Sequence, residues 1–250
     1  YSRHGRKFLI LHQQITFARI STMGKDKLRK WAENETFNHV FEPCLQDAVK
    51  GLDGNLKGSW ASEIFKNDNP ITLELGCGKG EYTVGLARKY PDRNFVGVDI
   101  KGHRFWRGAK TAKEESLPNV AFLRTRLEFI NKYFDADEVS EIWLTFSDPQ
   151  PKDEKGTKRI TSSVYIELYK QILKAGSFIN VKTDSVLLYD LSKESYLEMG
   201  YTINLDSKDV YGDLVHRVPK DLREALEIIT YYEKRWLSEG KKIHFIQLEV

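Results

Sequence analysis

Residues 71–80 read ITLELGCGKG and decide the fold. Apolar strand-forming residues alternate through the first half, and three glycines remove side chains from the turn that follows: Gly76, Gly78 and Gly80. Glu81–Lys89 then predicts a short helix. A strand, a glycine-rich turn and a helix in this order are typical of the nucleotide-binding corner of a doubly wound α/β sheet. We therefore expect a ligand at this turn.

The spacing of the glycines indicates the class of cofactor. A dinucleotide-binding turn follows G-x-G-x-x-G/A, and the third position falls here on Glu81, a bulky anion where the phosphates of NAD would sit. Glu74 stands two residues before the first glycine. This E-x-G-x-G-x-G pattern resembles motif I of the S-adenosylmethionine-dependent methyltransferases, whose cofactor is cationic and lacks phosphate. The resemblance implies that Glu74 and the three glycines bind S-adenosylmethionine; the plainer alternative is an ordinary strand-turn-helix corner.

The next predicted strand ends in a second acid. Asn94–Ile100 is a short apolar segment, and Asp99 lies where a carboxylate accepts hydrogen bonds from the hydroxyls of a ribose. The alternative is that Asp99 caps the helix that follows. Because an acid at this position suits NAD and S-adenosylmethionine alike, it indicates a nucleoside and not a particular reaction.

Strands and helices continue to alternate up to the C-terminus. Helices are predicted over residues 102–116, 161–174, 185–199 and 221–238, and strands over residues 120–124, 141–146, 177–181, 201–205 and 243–250. Gly176 is expected to end the helix over residues 161–174. The pattern predicts an α/β fold, and the resemblance of the glycine motif implies that it is of the Rossmann-like class I methyltransferase type. Its sheet should be mostly parallel and seven-stranded, with helices on both faces and the last strand antiparallel.

Size and composition set the broad class. With 250 residues, 40% of them apolar, the chain is long enough for one α/β domain with additions. The two cysteines, Cys44 and Cys77, form neither a disulfide framework nor a C-x-x-C site, and the histidines lack ligand spacing, so we expect no metal. Without an apolar run of ~20 residues, the sequence predicts a soluble protein of a reducing, cytoplasmic compartment.

The net charge of +3 is unevenly distributed. Residues 1–25 contain five basic residues and no acid, which suits an arm that contacts RNA phosphates, a targeting segment, or an extension upstream of a start at Met23. We favour the third interpretation. The chain is then divided into an extension over residues 1–22, a lead-in with short helices over residues 23–69, and a methyltransferase domain over residues 70–250.

The loop after the fourth main strand has the most unusual sequence. Residues 147–152 read SDPQPK, and the two prolines stiffen the backbone around Asp148, at a strand end where ligands bind in open α/β sheets. Residues 152–159 carry a local charge of +2, which suits a polyanion, and their basic members are Lys152, Lys155, Lys158 and Arg159. The plainer interpretation is a turn acid beside a solvated run of charges.

Four segments together resemble one enzyme family. The loop S-D-P-x-P-K, followed by K-R, is similar to the F-P-D-P-W-x-K-x-R-H-x-K-R-R signature of the bacterial tRNA (guanine-N7)-methyltransferases. Residues 181–184, VKTD, and residues 230–235, TYYEKR, match the family's K-T-D and T-x-x-E elements, downstream of the glycine motif. The resemblance covers Met23 to the C-terminus. It implies methyl transfer from S-adenosylmethionine to N7 of the guanosine in the tRNA variable loop, at position 46.

The resemblance also implies roles for individual residues. Glu74 and Asp99 would bind the cofactor, and Asp148 would stand at the catalytic centre in contact with it. The substrate tRNA would be held by four residues: Lys152, Asp184, Thr230 and Glu233. The remaining basic residues of the loop would contact RNA: Lys155, Lys158 and Arg159.

Two positions depart from the family pattern. Gln150 replaces the tryptophan that usually follows D-P, so any stacking by that ring is absent. Arg126 stands where the family commonly has an aspartate near the adenine; we assign Arg126 to the cofactor site, with Glu128 as a substitute acid nearby.

Two other functions fit parts of the sequence. A methyltransferase for a small molecule would share the glycine motif, but it would not need the basic loop beside Asp148. A non-catalytic RNA-binding subunit on the same fold would be expected to lose the cofactor acids, and both Glu74 and Asp99 are present. We therefore favour the tRNA enzyme.

Overall fold

One mixed sheet organises the described residues. Its strands are β1 (Val40–Phe41), β2 (Ile71–Leu75), β3 (Asn94–Asp99), β4 (Val120–Arg124), β5 (Val139–Thr145), β6 (Leu173–Thr183), β7 (Thr202–Ser207) and β8 (His244–Glu249). They lie side by side in the order β1-β4-β3-β2-β5-β6-β8-β7. β8 is antiparallel to β6 and β7, and the other neighbouring pairs are parallel.

The computed structural model describes residues 24–43, 56–150 and 158–250. The expectations for the extension over residues 1–22, and for Lys152 and Lys155, fall outside these described residues. Within them, the predicted α/β class is confirmed, and the seven predicted strands are joined by an eighth, β1, which pairs with β4 at the edge of the sheet. A strand of only two residues has no alternation that a sequence pattern would reveal.

Helices cover both faces of the sheet. They are α1 (Lys25–Asn34), α2 (Glu81–Lys89), α3 (Gly102–Glu114), α4 (Ser163–Lys170), α5 (Val186–Glu198), α6 (Lys220–Leu226) and α7 (Tyr231–Ser238). Buried residues of α2, α3 and α6 pack on one face against Phe122 and Phe245, whereas those of α4 and α5 pack on the other against Leu73 and Val98. None of the described helices is long and apolar enough to cross a membrane.

The predicted helix over residues 161–174 is wrong at both ends. α4 begins at Ser163 and ends at Lys170, and β6 already begins at Leu173. Gly176 does not end a helix; it lies inside β6 with a φ of +75°, and its N–H donates to the carbonyl of Val250 at 2.8 Å. The pairing of β6 with β5 shifts register there, so this glycine marks a bulge.

The predicted helix over residues 221–238 is two helices, α6 and α7. The break falls before Thr230, whose hydroxyl accepts a hydrogen bond from the backbone N–H of Glu233, while the Glu233 carboxylate accepts one from the N–H of Thr230. This reciprocal capping box starts a new helix. Thr230 and Glu233, which the family resemblance assigns to substrate binding, therefore form the start of α7.

The glycines of the first turn serve different purposes. Gly78 and Gly80 both have positive φ, at +55° and +71°. A Cβ atom added at Gly80 would lie 2.6 Å from the Phe122 ring, whereas one added at Gly78 would meet nothing within 4 Å. Gly80 therefore lets α2 pack closely on the sheet, and Gly78 leaves open space at the mouth of the turn.

This difference predicts unequal losses of stability. Gly80→Ala should lower the free energy of unfolding by about 3 kcal/mol, because the strained φ and the clash with Phe122 add together. Gly78→Ala should lower it by only about 1 kcal/mol, the cost of the backbone conformation alone. Urea unfolding of the two variants measures both values, and equal losses would contradict the distinction.

Candidate active site

A cleft of about 760 Å³ opens at the carboxyl ends of the central strands. Its floor is formed by the side chain of Glu74 and by the turn from Gly76 to Gly78, and Thr145 and Phe146 at the end of β5 line it beside them. Thr145 Oγ1 donates to Glu74 Oε1 at 2.6 Å, so the ends of β2 and β5 are directly joined. The glycine turn and the start of the Asp148 loop thus share one cleft.

Glu74 is held by three hydrogen bonds behind the glycine turn. Besides Thr145, the backbone N–H of Thr83 donates to Glu74 Oε2 at 2.8 Å, and the Thr83 hydroxyl donates to the same oxygen. Burial raises the pKa of Glu74 to about 7, although these hydrogen bonds oppose the rise. The carboxyl group therefore gains or loses its proton near neutral pH and responds to a nearby positive charge.

Asp99 holds the glycine turn against β3. Its Oδ2 accepts from the N–H of Gly78 at 3.0 Å, and its Oδ1 accepts from the N–H of Lys101 at 2.8 Å. A carboxylate has about four acceptor sites, so two hydrogen bonds leave further sites for a ligand hydroxyl. Asp99 thus shapes the turn; it is buried and is not among the described residues that line the cleft, and its contact with a ribose stays a prediction.

The loop that carries Asp148 has a strained, pinned backbone. Phe146 and Gln150 have φ values of +51° and +44°, which residues other than glycine rarely adopt. Asp148 is exposed, and its Oδ1 accepts from the N–H of Gln150 at 3.0 Å. The Arg159 guanidinium donates to the carbonyls of Pro149 and Gln150, each at 3.0 Å. Arg159, expected at the RNA, therefore fixes the loop.

A buried ion pair supports the start of α7. Lys182 Nζ lies 2.8 Å from Glu233 Oε1, and both side chains are 0% exposed. Lys182 also donates to the carbonyls of Leu226 and Ile228, at 2.6 Å and 3.1 Å, and Tyr211 donates to Glu233 at 2.6 Å. Burial lowers the pKa of Lys182, and the charge of Glu233 opposes that shift. Glu233 lies behind the cleft, whereas Thr230 lines it.

The other predicted residues lie around the cleft. Asp184 follows β6 and forms an ion pair with Lys241 at 3.2 Å. Arg126 is exposed after β4 and forms an ion pair with Glu128 at 3.0 Å, so both residues of this predicted pair are near each other. Lys158 is exposed beside Arg159. None of these residues is among those that line the cleft in the described part of the chain.

One wall of the cleft is basic, and sequence reasoning did not assign the residues of α3 that form most of it. Lys30 of α1 and three residues of α3 line it: His103, Arg104 and Arg107. Partial burial, with the charges of Lys27 and Arg104 acting in the same direction, lowers the pKa of His103. The sequence signal was present, because α3 contains four Lys or Arg residues and a histidine before its first acid, Glu114.

α1 completes this wall through contacts with α3. The Trp106 indole donates to Glu33 at 2.8 Å, and the guanidinium of Arg29 lies 4.8 Å from the centre of the Trp106 ring. Lys110 pairs with Glu33 at 2.8 Å. Glu33 thereby joins α1 and α3, and Lys30, Arg104 and Arg107 of these helices line the cleft.

Comparison with known proteins gives a consistent result. A family model described as putative methyltransferase matches residues 68–246. A tRNA (guanine-N(7)-)-methyltransferase of Bacteroides fragilis is 48% identical over 226 residues, which cover 90% of this chain and 86% of that protein. A protein with the same name from Christiangramia forsetii is 46% identical, over 90% of this chain and 98% of its own length. Another, from Clostridium acetobutylicum, is 35% identical, over 78% of this chain and 87% of its own length.

Solved structures share the fold at lower identity. The 16S rRNA methyltransferase KamB superposes with a TM-score of 0.55 at 18% identity, covering 76% of this chain and 91% of that one. A variant of the 16S rRNA (adenine(1408)-N(1))-methyltransferase of Catenulisporales acidiphilia, solved with SAM, gives 0.53 at 14% identity, covering 77% and 89%. With the 46–48% identical relatives above, the chain belongs to the tRNA (guanine-N7)-methyltransferase family.

Proposed function

We propose that this chain transfers the methyl group of S-adenosylmethionine to N7 of the guanosine in the variable loop of tRNA. The observation that carries the proposal is the cleft in which the glycine turn and the start of the Asp148 loop meet. The names of relatives up to 48% identical support the substrate, and the basic wall of the cleft suits a polyanion.

The residues of the turn fit a cationic cofactor without phosphate. Glu74 and Asp99 supply carboxylates, and Gly78 leaves open space where a ligand approaches the backbone. Lys79, the basic residue of the turn, also lines the cleft, and its ammonium lies 4.1 Å and 5.3 Å from the centres of the Tyr231 and Tyr232 rings. We propose that Glu74, Asp99, Gly76 and Gly78 hold S-adenosylmethionine, with Gly80 shaping the turn and Arg126 at the adenine side. The bound cofactor supplies an electrophilic methyl group.

Transfer to guanine N7 asks little proton chemistry of the chain. N7 is an acceptor with an in-plane lone pair and no proton, so no general base is needed. Most of the rate acceleration should then come from holding the base in line with the methyl group. We propose that Asp148, fixed by Arg159, accepts hydrogen bonds from the amino edge of guanine and offsets the positive charge that develops on the ring, with Asp184 assisting.

The proposed contacts with tRNA are shared between two surfaces, the cleft with its basic wall and the loop that follows Asp148. Thr230 lines the cleft and would touch the substrate directly, whereas the buried Glu233 would act by positioning Thr230 and α7. Lys152, Lys155 and the exposed Lys158 would contact phosphates from the loop, and the basic wall would do so from α3. Extracting the base from the tRNA fold costs a few kcal/mol, which these phosphate contacts must offset.

A methyl-transfer assay tests the proposal. The chain is incubated with unmodified tRNA and labelled S-adenosylmethionine, and aniline cleavage then maps 7-methylguanosine. Label at the variable-loop guanosine, lost when that nucleotide is replaced by adenosine, is the expected result. Label at another nucleotide would revise the substrate, and cofactor binding without transfer would reject the enzyme in favour of an RNA-binding subunit.

The raised pKa of Glu74 predicts that cofactor binding depends on pH. Below about 7 the carboxyl group is protonated and neutral, and above it the group is anionic and attracts the cationic cofactor, so affinity should rise with pH. Between pH 6 and pH 8 the gain should be up to about tenfold, as the ionised fraction increases. Calorimetric titration across this range measures it. Glu74→Gln should give a flat profile, and an unchanged slope in that variant would contradict the assignment.

A further inference from the structure

Three aromatic side chains line the same cleft as the basic wall. Phe146 stands at the end of β5, and Tyr232 and Trp236 lie one turn apart on the same face of α7; all three line the cleft. The ring centres of Phe146 and Trp236 are 5.0 Å apart, and those of Trp236 and Tyr232 are 6.0 Å apart with planes inclined by only 29°. We call these three residues the aromatic wall.

The aromatic wall lies at the margin of the packed core, against which Phe146 packs. Tyr232 is 51% exposed, and Phe146 and Trp236 are only partly buried. A contiguous exposed aromatic surface next to a ligand cleft usually marks a binding site. In the same cleft, the side chains of Lys30, Arg104 and Arg107 provide positive charge. A cleft with one cationic and one aromatic wall suits a nucleotide, because phosphate binds to cationic side chains and the base stacks on aromatic rings.

We propose that the stacked face of Tyr232 and Trp236 is the platform on which the target guanine lies, and that these rings favour the purine as it becomes cationic. This inference rests on the proposed function. In the transfer, the N7 lone pair forms the bond to the methyl carbon while the bond from that carbon to sulfur breaks. The sulfonium becomes a neutral thioether, and the positive charge passes to the purine ring.

The chemistry of aromatic rings explains the preference. The face of a tyrosine or tryptophan ring is electron-rich and attracts cations, most strongly for tryptophan. Stacking on such a face therefore stabilises methylated, cationic guanine more than neutral guanine. Because the charge appears during transfer, the interaction strengthens towards the transition state and raises kcat more than it lowers KM.

The platform is held in place by buried contacts. α7 begins at the Thr230 capping box, whose Glu233 pairs with Lys182 of β6, and the N–H of Phe146 donates to the Lys182 carbonyl at 2.8 Å. β6 thus anchors both parts of the aromatic wall, Phe146 and α7. The platform does not include residue 150. At that position this chain has Gln150 instead of the tryptophan expected from the resemblance, so the proposed stacking does not depend on that missing ring.

Nucleotide competition tests the inference. The probes are guanosine 5′-monophosphate and 7-methylguanosine 5′-monophosphate, each used to inhibit methyl transfer to tRNA. The wild-type chain should bind the methylated, cationic nucleotide several-fold more tightly. Tyr232→Leu and Trp236→Leu should each reduce this preference towards unity and lower kcat more than they change KM. Tyr232→Phe and Trp236→Phe, which keep a ring, should retain most of both.

A matched control comes from Tyr201, which precedes the edge strand β7 at the end of the sheet opposite the cleft. Tyr201→Leu should leave the preference unchanged, and thermal unfolding shows whether each variant is folded. Equal affinity of the wild-type chain for the two nucleotides, or an unaltered preference in both leucine variants, would overturn the platform. If the wild-type chain transfers no methyl group to tRNA, the proposed function itself fails. If the leucine variants are active with wild-type kcat, only the platform fails.

Discussion

Replacing Asp148 with alanine is expected to lower kcat for tRNA methylation by about 10²–10³-fold, the usual effect of removing one group that stabilises developing charge. Cofactor affinity should persist, because Glu74 and the glycine turn are untouched. Asp148 is exposed, so the free energy of unfolding should change by no more than about 0.5 kcal/mol. Steady-state kinetics, calorimetry with cofactor and urea unfolding measure these three quantities.

Asp68 offers a matched control for Asp148. It is an exposed aspartate that precedes β2, at the opposite end of the strand from the cleft. Asp68→Ala should keep wild-type kcat, and Asp148→Asn, which retains an acceptor but loses the charge, should fall between wild type and Asp148→Ala. Loss of cofactor binding together with turnover in Asp148→Ala would reject the assigned role.

Replacing Lys182 with methionine is expected to lower the free energy of unfolding by about 3–5 kcal/mol, because the Glu233 carboxylate would remain buried without its partner. The carbonyls of Leu226 and Ile228 would lose a donor as well. Urea unfolding monitored by circular dichroism measures the loss. The start of α7 should loosen with it, so kcat should fall even under conditions where the variant is folded.

A double variant separates loss of the pair from loss of volume. In Lys182→Met with Glu233→Gln, the uncompensated charge is gone. The single amide oxygen of the glutamine can still accept from the N–H of Thr230, and its NH2 group can donate to the Tyr211 hydroxyl, which would have to reverse its role. This chain should regain a substantial part of the stability lost in the single variant. Strictly additive losses would show that Lys182 and Glu233 do not act as a coupled pair.

The sequence predicted best where local pattern and structure coincide. The strand from Ile71, its glycine turn and the helix Glu81–Lys89 lie where the pattern placed them, because strand propensity, positive φ and the start of the helix all act within a few residues. Prediction failed near Gly176 for the converse reason. An apolar run followed by glycine suits either a helix end or a bulged strand, and the pairing with distant Val250 decides between them.

The site was predictable to a similar extent. Glu74 and Gly78 follow from one motif, and the structure brings them to the cleft. Each wall combines residues of two elements, Phe146 at the end of β5 with α7 and Lys30 of α1 with α3, so one stretch of sequence shows only part of each wall. The burial of Glu233 was hidden as well, because a charged residue on a short helix ordinarily faces solvent; its partner Lys182 lies on a different element.

The central claim is that the methyl donor and the target base meet in the cleft between the glycine turn and the end of β5. A crystal structure of the chain with S-adenosylhomocysteine and unmodified tRNA tests it most directly. The predicted result places the sulfur atom beside Gly76 and Gly78, with the variable-loop guanine against Tyr232 and Trp236 and its N7 turned towards the sulfur. A guanine bound at another face of the molecule, away from the sulfur, would contradict the account.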